Sequence, residues 1–204
     1  MIAIIDYGVG NLFSLKSSLA AIGREAVVTG DRAVLRAASH VILPGVGAFG
    51  DAAARLRAAG MAEAVLEAAA AGKPVLGICL GMQLLLERSF EYGEHPGLGL
   101  IPGEVRPIRD VIPAGLAVPH MGWNCLDIRP EAKLFKGLAS GEYVYFVHSY
   151  YLKAENEGDV AASSVYGVRF HASVEHGNVF ACQFHPEKSG TTGLKILKNF
   201  IELP

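Results

Sequence analysis

Lys73-Pro-Val-Leu-Gly-Ile-Cys-Leu-Gly-Met-Gln83 is the stretch that decides the fold. Val75–Ile78 reads as a short buried strand, and a helical pattern, roughly Gly81–Arg88, begins just past Cys79. A cysteine bracketed by Gly77 and Gly81 at a strand-to-helix turn has the layout of a nucleophile elbow. The glycines permit the strained backbone and close strand–helix packing that such a turn needs. The helix aims its free N–H groups at the sulfur, where they favour an anion. Packing gives a cysteine little reason to be here, so Cys79 reads as a nucleophile.

Upstream of the elbow, strand and helix patterns alternate. Ile2–Asp6, Ala26–Thr29 and His40–Leu43 are short apolar runs. Leu12, Leu15, Leu19 and Ile22 share one helical face, with Gly23 as a C-terminal cap, and Asp31 can cap a helix over Arg32–Ala38. An Ala-rich helical region fills Phe49–Ala71, broken near Gly60. Such alternation implies a mostly parallel sheet with helices on both faces. Downstream the pattern changes. Glu91–Gly103 is rich in glycine and proline and reads as loop. Val118–Ile128, Tyr143–Leu152, Val160–Tyr166, Phe170–Val174 and Val179–Phe184 read as closely spaced strands, antiparallel or mixed. A last helix covers about Thr192–Glu202. With no linker, repeat or low-complexity tract, residues 1–204 read as one α/β domain with a mixed central sheet.

Composition narrows the function. The chain is 51% hydrophobic with a formal charge of −2, and no run of Lys or Arg marks a nucleic-acid or membrane surface. No apolar stretch reaches the length of a membrane span, and the apolar start is too short for a signal peptide and lacks a basic n-region. Three widely spaced cysteines fit neither a disulfide framework nor a zinc site, so a reduced, cytoplasmic protein is expected. The seven histidines show no metal-ligand spacing, and no metal or cofactor is expected.

A cysteine nucleophile needs a base and a group to orient that base. Gln183-Phe-His-Pro-Glu187 offers both. Pro186 biases His185 toward extended backbone, and residues two apart in an extended chain project to one side, so Glu187 can reach the imidazole and set its tautomer. The other ring nitrogen is then free for Cys79, which is triad logic with glutamate as third member. Attack on a carboxamide would create an oxyanion needing two donors. The N–H of Leu80 is one, and the Gly45-Val46-Gly47 loop supplies the other. Gln83, one turn past Cys79, can point into the same pocket. Cys182, three residues before His185, faces away from it in a strand and reads as core; Cys125 also reads as structural. Gly45-Val-Gly-Ala-Phe-Gly50 matches a dinucleotide fingerprint in letters, but it follows the third strand and lacks an acid ending the next one, so it is set aside.

Gly77-Ile-Cys-Leu-Gly-Met-Gln83 together with Phe184-His-Pro-Glu187 resembles the class I, or triad, glutamine amidotransferases. Asp6-Tyr-Gly-Val-Gly-Asn11, Pro44-Gly-Val-Gly-Ala-Phe49, Pro119-His-Met-Gly-Trp-Asn124, Tyr145-Phe-Val-His-Ser-Tyr150 and Gln183-Phe-His-Pro-Glu-Lys-Ser189 narrow the resemblance to the branch that feeds ammonia to a cyclase forming imidazole glycerol phosphate in histidine biosynthesis. The resemblance implies a flavodoxin-like domain that hydrolyses L-glutamine and forms a heterodimer with a (β/α)8-barrel cyclase subunit. It implies Cys79, His185 and Glu187 as the triad. It places Val46, Gly47, Leu80, Gln83 and His148-Ser149-Tyr150 around the oxyanion and glutamine, and Asn11, Trp123 and Lys188 near the partner. Asn11 could instead be a helix N-cap and Trp123 a core aromatic. Two positions depart from the pattern: Ala117 is apolar where relatives often carry a basic residue, and Cys182 stands where threonine or glycine is expected. The competing readings are another triad amidotransferase, a cysteine hydrolase on the same elbow, and a non-catalytic binding module.

Overall fold

In the computed structural model, which describes residues 1–204, strand β1 (Ile2–Ile5) is buried on both faces. Helix α1 (Leu12–Ala21) ends in a Schellman motif: Gly23, at φ 73°, donates to Ala20 O, and Arg24 N–H donates to Leu19 O. After β2 (Ala26–Thr29), α2 (Arg32–Ala37) opens with the Asp31 carboxylate accepting from Ala33 N–H. Strand β3 (His40–Leu43) leads into the Ala-rich region, which Gly60 (φ 68°) divides into α3 (Phe49–Ala58) and α4 (Met61–Ala70). Strand β4 (Val75–Ile78) then runs into α5 (Leu80–Leu84).

From here the structure departs from the expected helix over residues 81–88. Helix α5 stops after five residues, and β5 (Leu86–Ser89) follows as a strand. The reason is tertiary. The chain around β6 (His95–Pro96) folds back so that Leu98 N–H takes the Leu84 carbonyl, and Leu100 and Ile101 N–H take that of Leu85. Those carbonyls are then shared with a remote segment, and β5 pairs in parallel with β7 (Ile101–Pro107), which the loop expected over residues 91–103 had partly hidden.

The remaining elements are β8 (His120–Cys125), β9 (Asp127–Ile128), β10 (Tyr143–His148), β11 (Tyr150–Ala154), β12 (Val160–Tyr166), β13 (Val168–His176), β14 (Val179–Cys182) and α6 (Gly190–Ile201). Two of the expected long strands are each split. The second breaks at Ser149, whose carbonyl accepts from Ile108 N–H as the chain passes from one sheet to the other.

The large sheet runs β2-β1-β3-β4-β14-β13-β11-β7-β5-β6, with β12 and β9 paired off β13. Its first five strands are mutually parallel, and antiparallel pairing begins at β13. Strands β8 and β10 form a separate antiparallel pair. Side chains alternate across the parallel strands as a period of two requires. Ala3, Ile5, Val41, Leu43 and Val75 pack with α2 to α5, while Ile2, Ile4, Ile42, Leu76 and Ile78 pack with α1 and α6. Apolar burial on both faces explains why these strands read as unbroken hydrophobic runs. No helix is long and apolar enough to cross a membrane. The loops that leave β3, β4 and β14, adjacent parallel strands, emerge together at the carboxyl edge of the sheet, where open α/β sheets place their sites.

Candidate active site

Cys79 sits at the end of β4 with φ 54° and ψ −114°, a conformation that costs a non-glycine residue about 1–3 kcal/mol. Neighbouring structure holds it there. Its N–H donates to Cys182 O at 2.8 Å, and the Cys79 carbonyl accepts Gln83 N–H, starting α5. The flanking glycines are sterically required. A Cβ on Gly77 would lie 2.7 Å from Met82 Cα, and one on Gly81 would collide with the Leu43 carbonyl at the end of β3. The first N–H groups of α5, Leu80 among them, have no intrahelical acceptor.

His185 and Glu187 follow β14, the parallel neighbour of β4. The His185 Nδ1 to Glu187 Oε1 distance is 2.8 Å, with both side chains almost wholly buried. The route to this contact differs from the one expected. His185 is extended (φ −99°, ψ 99°), but Pro186–Lys188 closes a 3₁₀ turn, and that turn swings Glu187 back onto the ring. A carboxylate only accepts, so Nδ1 carries the proton and Nε2 is left for the sulfur. The segment is fixed to β10: His185 N–H donates to Tyr145 O, and Ser189 Oγ bridges His185 O and Tyr145 N–H. Burial alone would lower the basicity of His185, but hydrogen bonding and charge from Cys79 and Glu187 outweigh it and lift the ring to about 9. Sulfur and carboxylate thus both favour the protonated form of the imidazole.

Cys79 and His185 open onto a cavity of about 390 Å³. Its wall brings together Val46, Gly47, Leu80, Gln83, His148, Ser149 and Tyr150, all seven residues assigned to the oxyanion and substrate. Glu187 stands behind His185 and does not line it. His148 proves to be a scaffold. Its Nδ1 lies 2.8 Å from Tyr150 O and its Nε2 3.0 Å from His120 Nδ1, so both nitrogens are engaged within the protein.

Sequence reasoning missed Glu91, Pro119 and Val147, which also line the cavity. Glu91 is the consequential one. It is buried, its Oε2 accepts Phe49 N–H at 2.7 Å, and burial raises its pKa while that hydrogen bond opposes the rise. No local pattern marked it, because the folding-back of residues 91–100 is what carries it to the cavity.

Of the other cysteines, Cys182 is buried with its sulfur 3.9 Å from Gly77 O, as a core residue would be. Cys125 is exposed at the end of β8, outside the core and away from the cavity lining. Trp123 is 55% exposed, which excludes the core alternative. It lies edge-on to Tyr145, whose ring also carries Lys188 Nζ at 5.8 Å. Asn11 occupies the N-cap position of α1, yet its side chain makes no capping bond.

A family model described as "Glutamine amidotransferase class-I" matches residues 3–203. The imidazole glycerol phosphate synthase subunit HisH of Wolinella succinogenes is 48% identical over 204 residues, covering 100% of each chain. That of Syntrophotalea carbinolica is 53% identical over 203 residues, covering 98% of each. Among solved structures, a chain described as glutamine amidotransferase superposes with a TM-score of 0.77 at 22% identity, covering 99% of this chain and 98% of its own. A chain in the structure of PurLQS from Thermotoga maritima gives 0.76 at 22% identity, with 98% and 96% covered. These two establish likeness of fold.

Proposed function

The chain belongs to the class-I glutamine amidotransferase family, and we propose that Cys79, His185 and Glu187 are the triad through which it acts, within one domain spanning residues 1–204. It hydrolyses L-glutamine to glutamate and ammonia, and the ammonia serves the synthesis of imidazole glycerol phosphate on the route to histidine. The observation that carries the site assignment is the 2.8 Å contact of His185 Nδ1 with Glu187, on a ring that shares a cavity wall with Cys79.

The chemistry follows from that arrangement. The Cys79 sulfur attacks the carboxamide carbon of glutamine. Leu80 N–H and the Val46–Gly47 backbone receive the oxyanion. The cationic His185 gives its Nε2 proton to the departing nitrogen; the C–N bond breaks, ammonia leaves and a thioester remains. The neutral ring then takes a proton from water, whose oxygen adds to the thioester carbon, and loss of the sulfur yields glutamate. Glu187 holds the tautomer and the positive charge throughout. Gln83 and the His148–Tyr150 backbone hold the substrate, and Glu91 offers a carboxylate to its α-ammonium group.

The protein is a subunit of a two-subunit synthase. For the partner we propose a (β/α)8-barrel cyclase docking on the face that presents Asn11, Trp123 and Lys188. An exposed tryptophan beside a lysine–tyrosine pair is the kind of anchor that dominates protein interfaces. We also propose a cytoplasmic setting, on the three unpaired cysteines. The deciding experiment is glutamate release by the purified chain, alone and with a cyclase barrel loaded with its ribonucleotide. Strong stimulation by the loaded partner is expected. Full activity alone, unmoved by the partner, would contradict the assignment to this synthase.

A further inference from the structure

Gln183 precedes the triad histidine by two residues, is completely buried, and takes no part in the mechanism described above. Its Nε2 lies 3.8 Å from the Cys79 sulfur, and its Oε1 lies 3.2 Å from Gln83 Nε2. Gln83 Nε2 in turn lies 3.3 Å from Tyr150 O. The direction of this chain follows from its far end. A backbone carbonyl can only accept, so Gln83 must present its NH₂ group to Tyr150. The same NH₂ meets Gln183, which must therefore present its oxygen to Gln83. The Gln183 NH₂ is then left pointing at the sulfur. One fixed carbonyl on β11 thus determines the orientation of two side-chain amides and aims a donor at the nucleophile.

We propose that Gln183 is a further catalytic residue: its amide donates to Cys79 Sγ and stabilises the sulfur as an anion, from a direction separate from His185. The Val147 carbonyl, 4.0 Å from the sulfur, accepts from it only while the sulfur carries a proton. With the Gln183 N–H at the sulfur and the His185 ring coupled to it, against one carbonyl, the anion is the better satisfied form. Gln83 acts here as a positioning residue, holding the Gln183 amide against rotation, in addition to facing the substrate. The proposal rests on Cys79 being the nucleophile.

The test follows iodoacetamide alkylation of the Cys79 peptide by mass spectrometry at neutral pH, alongside kcat and KM for glutamine in the partner complex. The mass readout separates Cys79 from the exposed Cys125. Gln183→Met keeps the shape and removes the donor. Alkylation and kcat should each fall roughly 10–100-fold, the range for a hydrogen bond to a charged group, with KM within about two-fold. Gln183→Glu, which sets a carboxylate against the sulfur, should fall further. Gln83→Leu should slow alkylation in the wild-type background but not further in Gln183→Met. Should Gln183→Met fail to fold, this second variant still decides. Unchanged alkylation in both Gln183→Met and Gln83→Leu, or a loss confined to KM, would overturn the proposal. Loss of all glutamine hydrolysis in Cys79→Ala is the control for the reading beneath it; if hydrolysis survives there, that reading fails instead.

Discussion

Nδ1 of His120 lies 3.0 Å from Nε2 of His148, and this contact joins the strand that carries Trp123 to the wall of the cavity that Cys79 and His185 line. The tautomers are determined by what surrounds them. Tyr150 O accepts from His148 Nδ1–H, so His148 Nε2 is unprotonated and His120 Nδ1 must be the donor. Phe146, Tyr166 and Phe170 enclose the His120 ring. Protonating His148 at Nε2 would remove the acceptor of this bond, and protonating His120 at Nε2 would place a charge among those aromatic rings.

Burial holds His120 down to about 4 and His148 down to about 3. The sign of the linkage is then fixed. An unfolded histidine takes up its proton near pH 6.5, while the folded rings stay neutral well below that. Between about pH 6.5 and 4 the unfolded chain binds more protons, so stability is full above that window and is lost as pH falls through it. Each ring contributes a slope of up to about 1.4 kcal/mol per pH unit. Urea denaturation at pH 7, 6 and 5 should show this decline, and His120→Gln should flatten it. A wild-type stability that stays level from pH 7 to 5 would contradict the neutral pair.

Glu187→Gln should lower kcat by roughly 10²–10⁴-fold with little change in KM, because Glu187 touches His185 and not the cavity. The amide can also turn its NH₂ toward the ring and impose the wrong tautomer. Steady-state kinetics in the partner complex measure both constants. A loss carried by KM alone would place Glu187 in substrate binding.

Gly81→Ala should destabilise the fold by several kcal/mol, since its Cβ would meet backbone at the end of β3 and neither partner can rotate away. Gly72→Ala supplies a contrast. Its Cβ meets nothing within 4 Å, and only the positive φ of 77° opposes it, a cost of about 1–2 kcal/mol. Thermal melts of the two variants should rank Gly81 well below Gly72; equal losses would mean that the elbow packs more loosely than described.

Trp123→Ala should weaken association with the proposed cyclase partner by about 2 kcal/mol or more, roughly 30-fold, while changing the melting temperature of the free subunit little. The ring is more than half exposed and lies edge-on to Tyr145, so truncation leaves no cavity in the core. Titration calorimetry and a thermal melt give the two numbers. A large drop in melting temperature with unchanged affinity would return Trp123 to a structural role.

Local chemistry carried much of this protein into view from sequence alone. Gly77-Ile-Cys-Leu-Gly81 announced the elbow because only glycine tolerates the close backbone approach on either side of Cys79. His185-Pro-Glu187 announced the contact between imidazole and carboxylate because the two residues are close in the chain. The apolar runs at β1, β3 and β4 announced a sheet covered on both faces. Each of these signals is contained within a few residues.

What only the tertiary structure decided depends on groups far apart in the chain. Leu98 and Leu100 took carbonyls that a longer α5 would have used, and so made Leu86–Ser89 a strand. The same fold-back delivered Glu91 to the cavity. A 3₁₀ turn, not strand periodicity, brought Glu187 to its histidine. The Tyr150 carbonyl turned two glutamines so that Gln183 faces the sulfur, and it set the tautomer in which His148 accepts from His120, its partner across β8 and β10. Periodicity and steric allowance are local properties and can be read along a chain; the direction of a hydrogen bond between distant segments is set by which acceptors remain unclaimed once the chain has folded.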